Sequence, residues 1–254
     1  MIKVLVNGAL GRMGRTVVDA VKADAELELV GVVDAFDGEV GGLKVETNLD
    51  SALKKFAPEV MVDFTRPDVV FDNVMTALAN KVSPVVGTTG LSDEAKEKIR
   101  TAAEENNTPA FIAPNFALGA VLMMLLSRKV AKYMPDVEII ELHHDRKLDA
   151  PSGTAELTAK MISEVRQPHK QGHPEEKERL EHVRGAEVDG IRIHSVRLPG
   201  YVAHQEVIFG GLGQTLTIRH DSMGRESFMP GVVLACKKVR NLKGLTVGLD
   251  KILD

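Results

Sequence analysis

The chain has 254 residues, of which 44% are hydrophobic and 27% charged, and its formal net charge is −4. Because phosphate binding normally requires a basic excess, this charge argues against nucleic acid as a partner. The longest apolar run, residues 120–126, is too short to cross a bilayer, and the first residues read as a strand rather than a signal peptide. We therefore predict a soluble, cytoplasmic protein with no membrane partner. The single Cys236 is interpreted as a buried, inert thiol.

Short runs rich in Val and Ile alternate with helical patterns in the first part of the chain. Strands are predicted at 3–6, 27–34, 60–64, 84–86 and 110–113. Helices are predicted at about 12–22, at about 67–80, from Ser92 and from about 118. Strands and helices that alternate at this spacing predict an α/β fold with a Rossmann-type, doubly wound parallel sheet.

The pattern changes after Asp136. VEIIELHH reads as a strand, PSGTA as the start of a helix, and residues 167–185 as a polar loop. IRIHSVRL, VAHQEVIF and QTLTIRH then alternate apolar and polar residues, as strands of a mixed or antiparallel sheet do. A last helix is predicted at about 225–239, and its pattern resembles that of the parallel-sheet region in the first part of the chain. We predict two domains, one of residues 1–117 and 225–254 and a second α+β domain of residues 118–224.

Gly8, Gly11 and Gly14 lie directly after the first predicted strand and lead into a helix. Glycines there permit a tight turn and bring backbone N–H groups close to a pyrophosphate. Asp34 ends the second strand about 20 residues after Gly14, where a carboxylate binds an adenosine ribose. This spacing predicts a dinucleotide site, although a glycine-rich turn alone also serves packing.

The residues after Asp34 bear on the choice of cofactor. NADP sites usually place a basic residue after the acid, to bind the 2′-phosphate. Here Ala35 and Phe36 follow, and the next basic residue is Lys44. The sequence therefore favours NADH, while Arg12 keeps NADPH open as an alternative.

Three further segments follow predicted strands: DFTRPD, GTTG at 87–90 and APNF at 113–116. Ligands of open α/β sheets bind outside the carboxyl ends of the strands. We therefore expect these turns to line one crevice with the glycine loop.

The segment ELHHDRKLDAPSGTA, residues 141–155, carries groups that transfer protons and bind anions. Histidine titrates near neutrality, and lysine supplies a fixed positive charge. His143 and His144 would point to opposite faces of a strand, and alone they are most often a surface pair. Ser152 to Thr154 at a helix start offer N–H groups and hydroxyls to an anion, although helix capping by Ser152 or Thr154 explains them equally. The other histidines are scattered, so no metal site is predicted.

Taken together, GALGRMG, DFTRP, GTTG, APNF and ELHHxxKxDAPSGTA resemble the 4-hydroxy-tetrahydrodipicolinate reductase (dihydrodipicolinate reductase) family over nearly the whole chain. The resemblance implies reduction of a cyclic imine dicarboxylate with NADH or NADPH in lysine and diaminopimelate biosynthesis. It also implies a dinucleotide-binding domain, followed by a domain that binds substrate and builds a homotetramer, with a homodimer as the alternative.

The resemblance assigns residue roles as well. His143 would be the proton donor or acceptor, Lys147 its catalytic partner, and His144, Gly153 and Thr154 the substrate-binding residues. The cofactor would be held by Gly8, Ala9, Leu10, Gly11, Arg12, Met13, Asp34, Gly87, Thr88, Thr89, Ala113, Pro114, Asn115 and Phe116. Two departures stand out, since Ala117 replaces a frequent Ser and no basic residue directly follows Asp34.

Two other functions fit parts of the pattern. Another two-domain Rossmann oxidoreductase, such as an amino-acid or sugar dehydrogenase, would share the glycine loop but would not need the PSGT turn beside HHxxK. A regulator that senses a dinucleotide without turnover would tolerate the loss of His143.

Overall fold

The structure is a computed structural model that describes residues 1–167 and 169–253. In chain order its strands are β1 (Ile2–Asn7), β2 (Leu27–Val33), β3 (Glu39–Val40), β4 (Leu43–Lys44), β5 (Val60–Asp63), β6 (Ser83–Val86), β7 (Ala110–Ile112), β8 (Asp136–His143), β9 (Ala186–Val188), β10 (Ile191–Arg197), β11 (Ala203–Gly211), β12 (Gln214–Ser222) and β13 (Leu245–Val247). Its helices are α1 (Arg12–Ala23), α2 (Leu49–Phe56), α3 (Val70–Ala79), α4 (Asp93–Glu105), α5 (Leu118–Val130), α6 (Gly153–Ser163) and α7 (Met229–Lys238).

The chain divides into two compact units. Unit 1 contains residues 1–118 and the residues from 225 onward, and unit 2 contains residues 119–224. The first boundary therefore lies between Leu118 and Gly119, one residue after the predicted position. Pro168, within the predicted loop, and Asp254, the last residue of the predicted first domain, lie outside the described residues.

Unit 1 is built on a six-stranded sheet in the order β13-β7-β6-β5-β1-β2. All five neighbouring pairs are parallel. Val4, Leu5 and Val6 of β1 are completely buried, as are Val60 to Val62 of β5. Strands buried on both faces read as continuous apolar runs, which explains why the Val and Ile runs predicted them. The predicted parallel sheet is confirmed, and its strand ends carry the glycine loop and the other turns.

Unit 2 contains a five-stranded mixed sheet in the order β12-β11-β8-β10-β9. The central strand β8 is parallel to β10 and antiparallel to β11. On one face of β8, Val137, Ile139 and Glu141 are buried, and α6 packs against β8 and β10. The predicted second domain with a mixed sheet is therefore confirmed.

Several elements differ from the prediction. Helix α3 begins at Val70 rather than at about 67, and the last helix is divided into a 3-10 turn at Arg225–Phe228 followed by α7. Pro230 lies in the first turn of α7, where its fixed φ favours a new helix start. The sequence analysis also missed α2, the β3–β4 hairpin, β9 and the edge strand β13.

Within the described part of the chain, no helix combines the length and the apolar character that a membrane crossing requires.

Candidate active site

In the glycine loop between β1 and α1, close contacts leave no room for a side chain at Gly8 or Gly14. Gly8 has a φ of +80°, and a Cβ on it would lie 2.5 Å from the carbonyl oxygen of Phe64. A Cβ on Gly14 would lie 2.0 Å from the carbonyl oxygen of Gly8. Because glycine occupies both positions, the first turn of α1 packs directly on the backbone of the loop.

The N-terminus of α1 is suited to an anion. Its N-cap residue, Gly11, has no side chain with which to cap the helix. The N–H groups of Gly8 and Ala9 donate to the carbonyl oxygen of Val33 at 2.9 and 3.0 Å, so these two fix the loop. The N–H groups of the first helical turn have no acceptor within the helix. A pyrophosphate at this point would provide one.

Asp34 connects the glycine loop to the end of β2. One carboxylate oxygen accepts the N–H of Leu10 at 2.9 Å, and the other accepts the N–H of Ala35 at 2.8 Å. Each oxygen retains a lone pair for a further donor such as a ribose hydroxyl. The predicted ribose-binding acid therefore also holds the loop in place. The next side chain, Phe36, is 73% exposed.

A cavity of about 600 Å³ lies beside the glycine loop and the ends of β1, β2 and β5. It includes Phe36, Thr47 and Asn48, which the sequence analysis did not assign to the site, and also Arg66 of the DFTRPD turn, which was expected to line this crevice. Arg66 is the one basic side chain among the described residues that line it, and it pairs with Asp68 at 2.8 Å.

A buried carboxylate lies where three of the predicted turns meet. Asp63, at the end of β5, is fully buried. Its Oδ2 accepts hydrogen bonds from the side-chain amides of Asn7 at 2.9 Å and Asn73 at 3.0 Å. Its Oδ1 accepts from the backbone and hydroxyl of Thr65 at 3.1 and 2.7 Å, and from the hydroxyl of Thr88 at 2.9 Å. Asp63 thus holds the glycine loop, the DFTRPD turn and the GTTG turn together.

The GTTG turn shows different environments for its predicted cofactor residues. A Cβ on Gly87 would lie 2.2 Å from the ring of Phe64, so an aromatic side chain packs directly against this turn. The hydroxyl of Thr88 is directed to Asp63, whereas Thr89 is exposed.

In the APNF turn, too, some of the predicted cofactor residues are buried and others are not. Ala113 and Phe116 are each 2% exposed, and the Phe116 ring packs against Phe111 with centroids 6.0 Å apart. Pro114 is exposed, and the side-chain oxygen of Asn115 accepts the N–H of Ala117 at 2.8 Å. The Phe116 ring therefore supports the turn from within.

In unit 2, His143 lies at the end of β8 beside an ion pair whose carboxylate is fully buried. Its Nδ1 is 2.5 Å from Oε2 of Glu141, two residues earlier on the same face of the strand. The two oxygens of Glu141 accept from the two terminal nitrogens of Arg197 at 2.7 and 2.8 Å. Burial alone would raise the pKa of Glu141, but hydrogen bonds from His143, Arg197 and Ser195 lower it to about 2. Glu141 is therefore ionised at any physiological pH.

Lys147 is held on the loop that follows β8. Its Nζ is 2.8 Å from both carboxylate oxygens of Asp149, and this pairing lowers the pKa of that carboxyl. The carbonyl oxygen of Asp149 accepts from Arg197 at 2.8 Å. Lys147 thus belongs to the same polar network as His143, although its ammonium group is directed to Asp149.

His144 and the start of α6 show features of a binding site. The Nδ1 atom of His144 is buried and has no hydrogen-bond partner among the described residues. Ser152 caps α6, because its hydroxyl accepts the N–H of Ala155 at 3.2 Å. Gly153 is exposed, and open space lies where its side chain would begin. Of the two predicted capping candidates, Ser152 fills that role, and Thr154 lies in the first turn.

The sequence analysis gave three residues of these networks no role of their own: Asp63 and Glu141, which lie within the quoted segments, and Arg197, which lies outside them. The sequence did contain one signal for Glu141. In the strand VEIIELHH it follows Val137 and Ile139 at a spacing of two residues, so it lies on their buried face. A charged residue in an apolar phase requires a partner. Nothing local to the sequence identified Arg197 as that partner.

Comparison with known proteins identifies relatives over the whole chain. Residues 2–116 match the family model described as dihydrodipicolinate reductase, N-terminus, and residues 119–253 match the C-terminus model. The chain is 53% identical to 4-hydroxy-tetrahydrodipicolinate reductase from Halalkalibacterium halodurans, with 100% of both chains covered. It is 52% identical to the enzyme of the same name from Desulfitobacterium hafniense, covering 100% of this chain and 99% of that one.

Solved structures agree with these matches. The dipicolinate-bound dihydrodipicolinate reductase from Paenisporosarcina sp. TG-14 superposes with a TM-score of 0.94 at 50% identity and covers 100% of both chains. An amine dehydrogenase from Mycobacterium smegmatis, with a TM-score of 0.67 and 13% identity, shares the fold alone. The chain therefore belongs to the dihydrodipicolinate reductase family of oxidoreductases.

Proposed function

We propose that this chain reduces 4-hydroxy-tetrahydrodipicolinate to tetrahydrodipicolinate, with loss of water, in lysine and diaminopimelate biosynthesis. The observation that carries the proposal is the arrangement at the end of β8, where His143 contacts a buried carboxylate and a capped helix start follows on the same segment. Family membership and the dipicolinate bound to a similar enzyme support a cyclic dicarboxylate as the substrate.

The residues of unit 1 fit a nicotinamide dinucleotide. The glycine loop is a cradle that a Cβ would fill, the first turn of α1 offers free N–H groups, and Asp34 offers acceptors to a ribose. When bound, the reduced nicotinamide would supply the hydride. In this proposal the backbone at residues 8–13 holds the pyrophosphate, and the exposed members of the GTTG and APNF turns contact the remainder of the cofactor.

We propose NADH as the preferred cofactor, with NADPH also accepted. A 2′-phosphate beside Asp34 would meet a carboxylate followed by Ala35 and Phe36, neither of which carries a charge. The basic side chain in the cavity lining, Arg66, already pairs with Asp68. The dissociation constants of NADH and NADPH, measured by quenching or enhancement of the nicotinamide fluorescence, test this preference. Tighter binding of NADPH would contradict it.

In unit 2 the substrate carboxylates would be bound by His144, Gly153 and Thr154. The buried, unpaired Nδ1 of His144 supports this role, because an unsatisfied polar atom is stabilised by a ligand that completes it. His143 would deliver the proton that accompanies reduction of the conjugated imine. Lys147, held by Asp149, would neutralise developing negative charge.

A coupled assay tests the reaction. The substrate is generated in situ from pyruvate and aspartate semialdehyde by a synthase, and the absorbance of NADH or NADPH is followed separately. We expect oxidation of the cofactor that depends on the synthase. If neither cofactor is oxidised while both bind, the chain is a dinucleotide sensor rather than this reductase. Oxidation with an amino acid or sugar substrate instead would favour the other Rossmann dehydrogenases.

Two variants test the residue roles. His143→Gln and Lys147→Ala should each lower kcat by roughly 10²- to 10⁴-fold, the usual contribution of general acid–base catalysis, while the Kd of NADH stays nearly unchanged. His182→Gln, in the exposed loop of unit 2, is the matched control and should keep wild-type turnover. A comparable loss of NADH affinity in the first two variants would mean that their roles are misassigned.

We also propose that the enzyme is a cytoplasmic homotetramer. The sheet of unit 2 supports assembly, because its edge strand β12 is mostly exposed and carries Leu216, which is 41% exposed. Sedimentation velocity at micromolar concentration would give the stoichiometry. A dimer would support the alternative assembly, and a monomer would contradict both.

A further inference from the structure

We infer that Glu141 is a positioning residue of this enzyme. Its carboxylate sets the tautomer and orientation of His143 and at the same time fixes the start of α6, and Arg197 holds it in place. This inference deepens the proposed function and rests on it for the role of His143, but the geometry below is independent of any substrate.

Glu141 occupies a position that would otherwise be apolar. It lies on the central strand β8, is fully buried, and shares its face with Val137 and Ile139. A buried carboxylate is costly unless it is paired and hydrogen-bonded. Arg197 satisfies this need with a two-point contact from the adjacent parallel strand β10. In this register Arg197 is opposite His143 and Ser195 is opposite Glu141.

The contact between Glu141 and His143 determines which ring nitrogen is available. An ionised carboxylate only accepts hydrogen bonds, and Oε2 of Glu141 lies 2.5 Å from Nδ1 of His143. Nδ1 therefore carries the hydrogen in the neutral ring. Nε2 is left as the atom that exchanges a proton with a ligand.

The same carboxylate reaches the helix start that follows. Its Oε1 accepts the N–H of Ser152 at 3.3 Å, and Ser152 caps α6. Arg197 in turn donates to the carbonyl oxygen of Asp149, the residue that pairs with Lys147. The ion pair of Glu141 and Arg197 thus connects the proposed proton donor, the lysine loop and the turn proposed to bind a carboxylate.

Glu138 provides a matched control on the same strand. It lies on the opposite face of β8 and also pairs with one arginine and one histidine, Arg184 and His194, the latter at 2.8 Å. Glu138→Gln therefore removes the same charge from the same kind of network, without touching His143. The effect of losing a carboxylate from β8 can be separated in this way from the effect on the reaction.

The variant test compares Glu141→Gln with Glu138→Gln in the coupled assay. We expect Glu141→Gln to lower kcat by roughly 10- to 100-fold, because a misoriented or wrongly protonated histidine loses part of its general acid contribution. Glu138→Gln should leave kcat unchanged, and both variants should retain NADH affinity. Equal losses of kcat in the two variants would reduce Glu141 to a structural role and overturn the inference.

A second measurement does not depend on turnover or on any change at Glu141. In wild-type protein labelled with ¹⁵N-histidine, long-range ¹H–¹⁵N spectra at alkaline pH report the tautomer of each ring. The His143 signal, assigned with His143→Gln, should show hydrogen on Nδ1. Hydrogen on Nε2 would overturn the inference even if the enzyme is the proposed reductase. Hydrogen on Nδ1 without reductase activity would instead support the geometry and refute the proposed function.

Discussion

Asp63→Asn should loosen the cofactor site of unit 1 without touching a surface that any ligand contacts directly. The substitution keeps the size of the side chain and replaces one acceptor oxygen by a donor amide. Five hydrogen bonds converge on the carboxylate, three on Oδ1 and two on Oδ2. Whichever oxygen is replaced, at least two donors lose their acceptor, and at least one of them is buried.

The magnitude follows from those lost bonds. A hydrogen bond to a charged group contributes about 1.5–3 kcal/mol, so two of them predict a loss of roughly 3 kcal/mol or more in the free energy of unfolding of unit 1. Asn7 precedes Gly8, and Thr88 lies in the GTTG turn. The loops that they anchor should shift, and the Kd of NADH should rise by at least about tenfold, equivalent to about 1.4 kcal/mol.

Urea unfolding and NADH titration measure the two effects. Asp19→Asn, an exposed position in the middle of α1, is the control for loss of one negative charge and should change stability by less than about 0.5 kcal/mol. If Asp63→Asn unfolds at the wild-type urea concentration and binds NADH with wild-type affinity, Asp63 does not hold the three loops as argued.

Three further outcomes are expected. Gly14→Ala should raise the Kd of NADH by tenfold or more, because its Cβ would lie 2.0 Å from the carbonyl oxygen of Gly8. The control Gly210→Ala, whose Cβ would make only ordinary contacts, should leave the Kd unchanged. Unchanged NADH binding in both variants would contradict the close packing of Gly14 on the loop. Burial raises the pKa of the Cys236 thiol to about 12, so Ellman's reagent at pH 8 should label it only after unfolding in urea, and fast labelling of the native chain would refute its inert role. The pKa of Glu141 is lowered from 4.5 to about 2 in the folded chain, so its pairing stabilises unit 2 above pH 4.5 and is lost as the pH falls towards 2. Urea unfolding across this pH range should show that the free energy of unfolding of the wild type falls by up to roughly 3 kcal/mol. Glu141→Gln should not show this fall. Parallel curves of unfolding free energy against pH for the two proteins would exclude this contribution.

The sequence predicts those parts of the fold whose causes are local. The Val and Ile runs of β1, β5 and β6 are apolar on both faces, and Ser92 followed by two acids marks the start of α4, which the structure confirms. Strands of two or three residues, such as β3, β4 and β13, are too short to show a period of two. β13 exists only because β7 offers it an edge.

The residues of the candidate site can likewise be divided into those with local causes and those whose partners are distant in sequence. The glycine loop could be predicted because its demands on φ and space fall on residues close together in sequence. The pairing of Glu141 with Arg197 could not, because 56 residues separate them and only the parallel register of β8 and β10 brings them together. The Asp63 network is similar, since its Asn7 contact also spans 56 residues.

The edge strand β13 has a consequence for the order in which the chain folds during synthesis. It pairs with β7, and α7 packs on α1, yet both elements are translated after every residue of unit 2. When unit 2 has left the ribosome, the sheet of unit 1 still lacks its last strand and part of its helical cover. Unit 2 has all its own strands by then. We therefore expect unit 2 to reach its final structure first, leaving the nascent nucleotide fold open to chaperones until the last segment emerges.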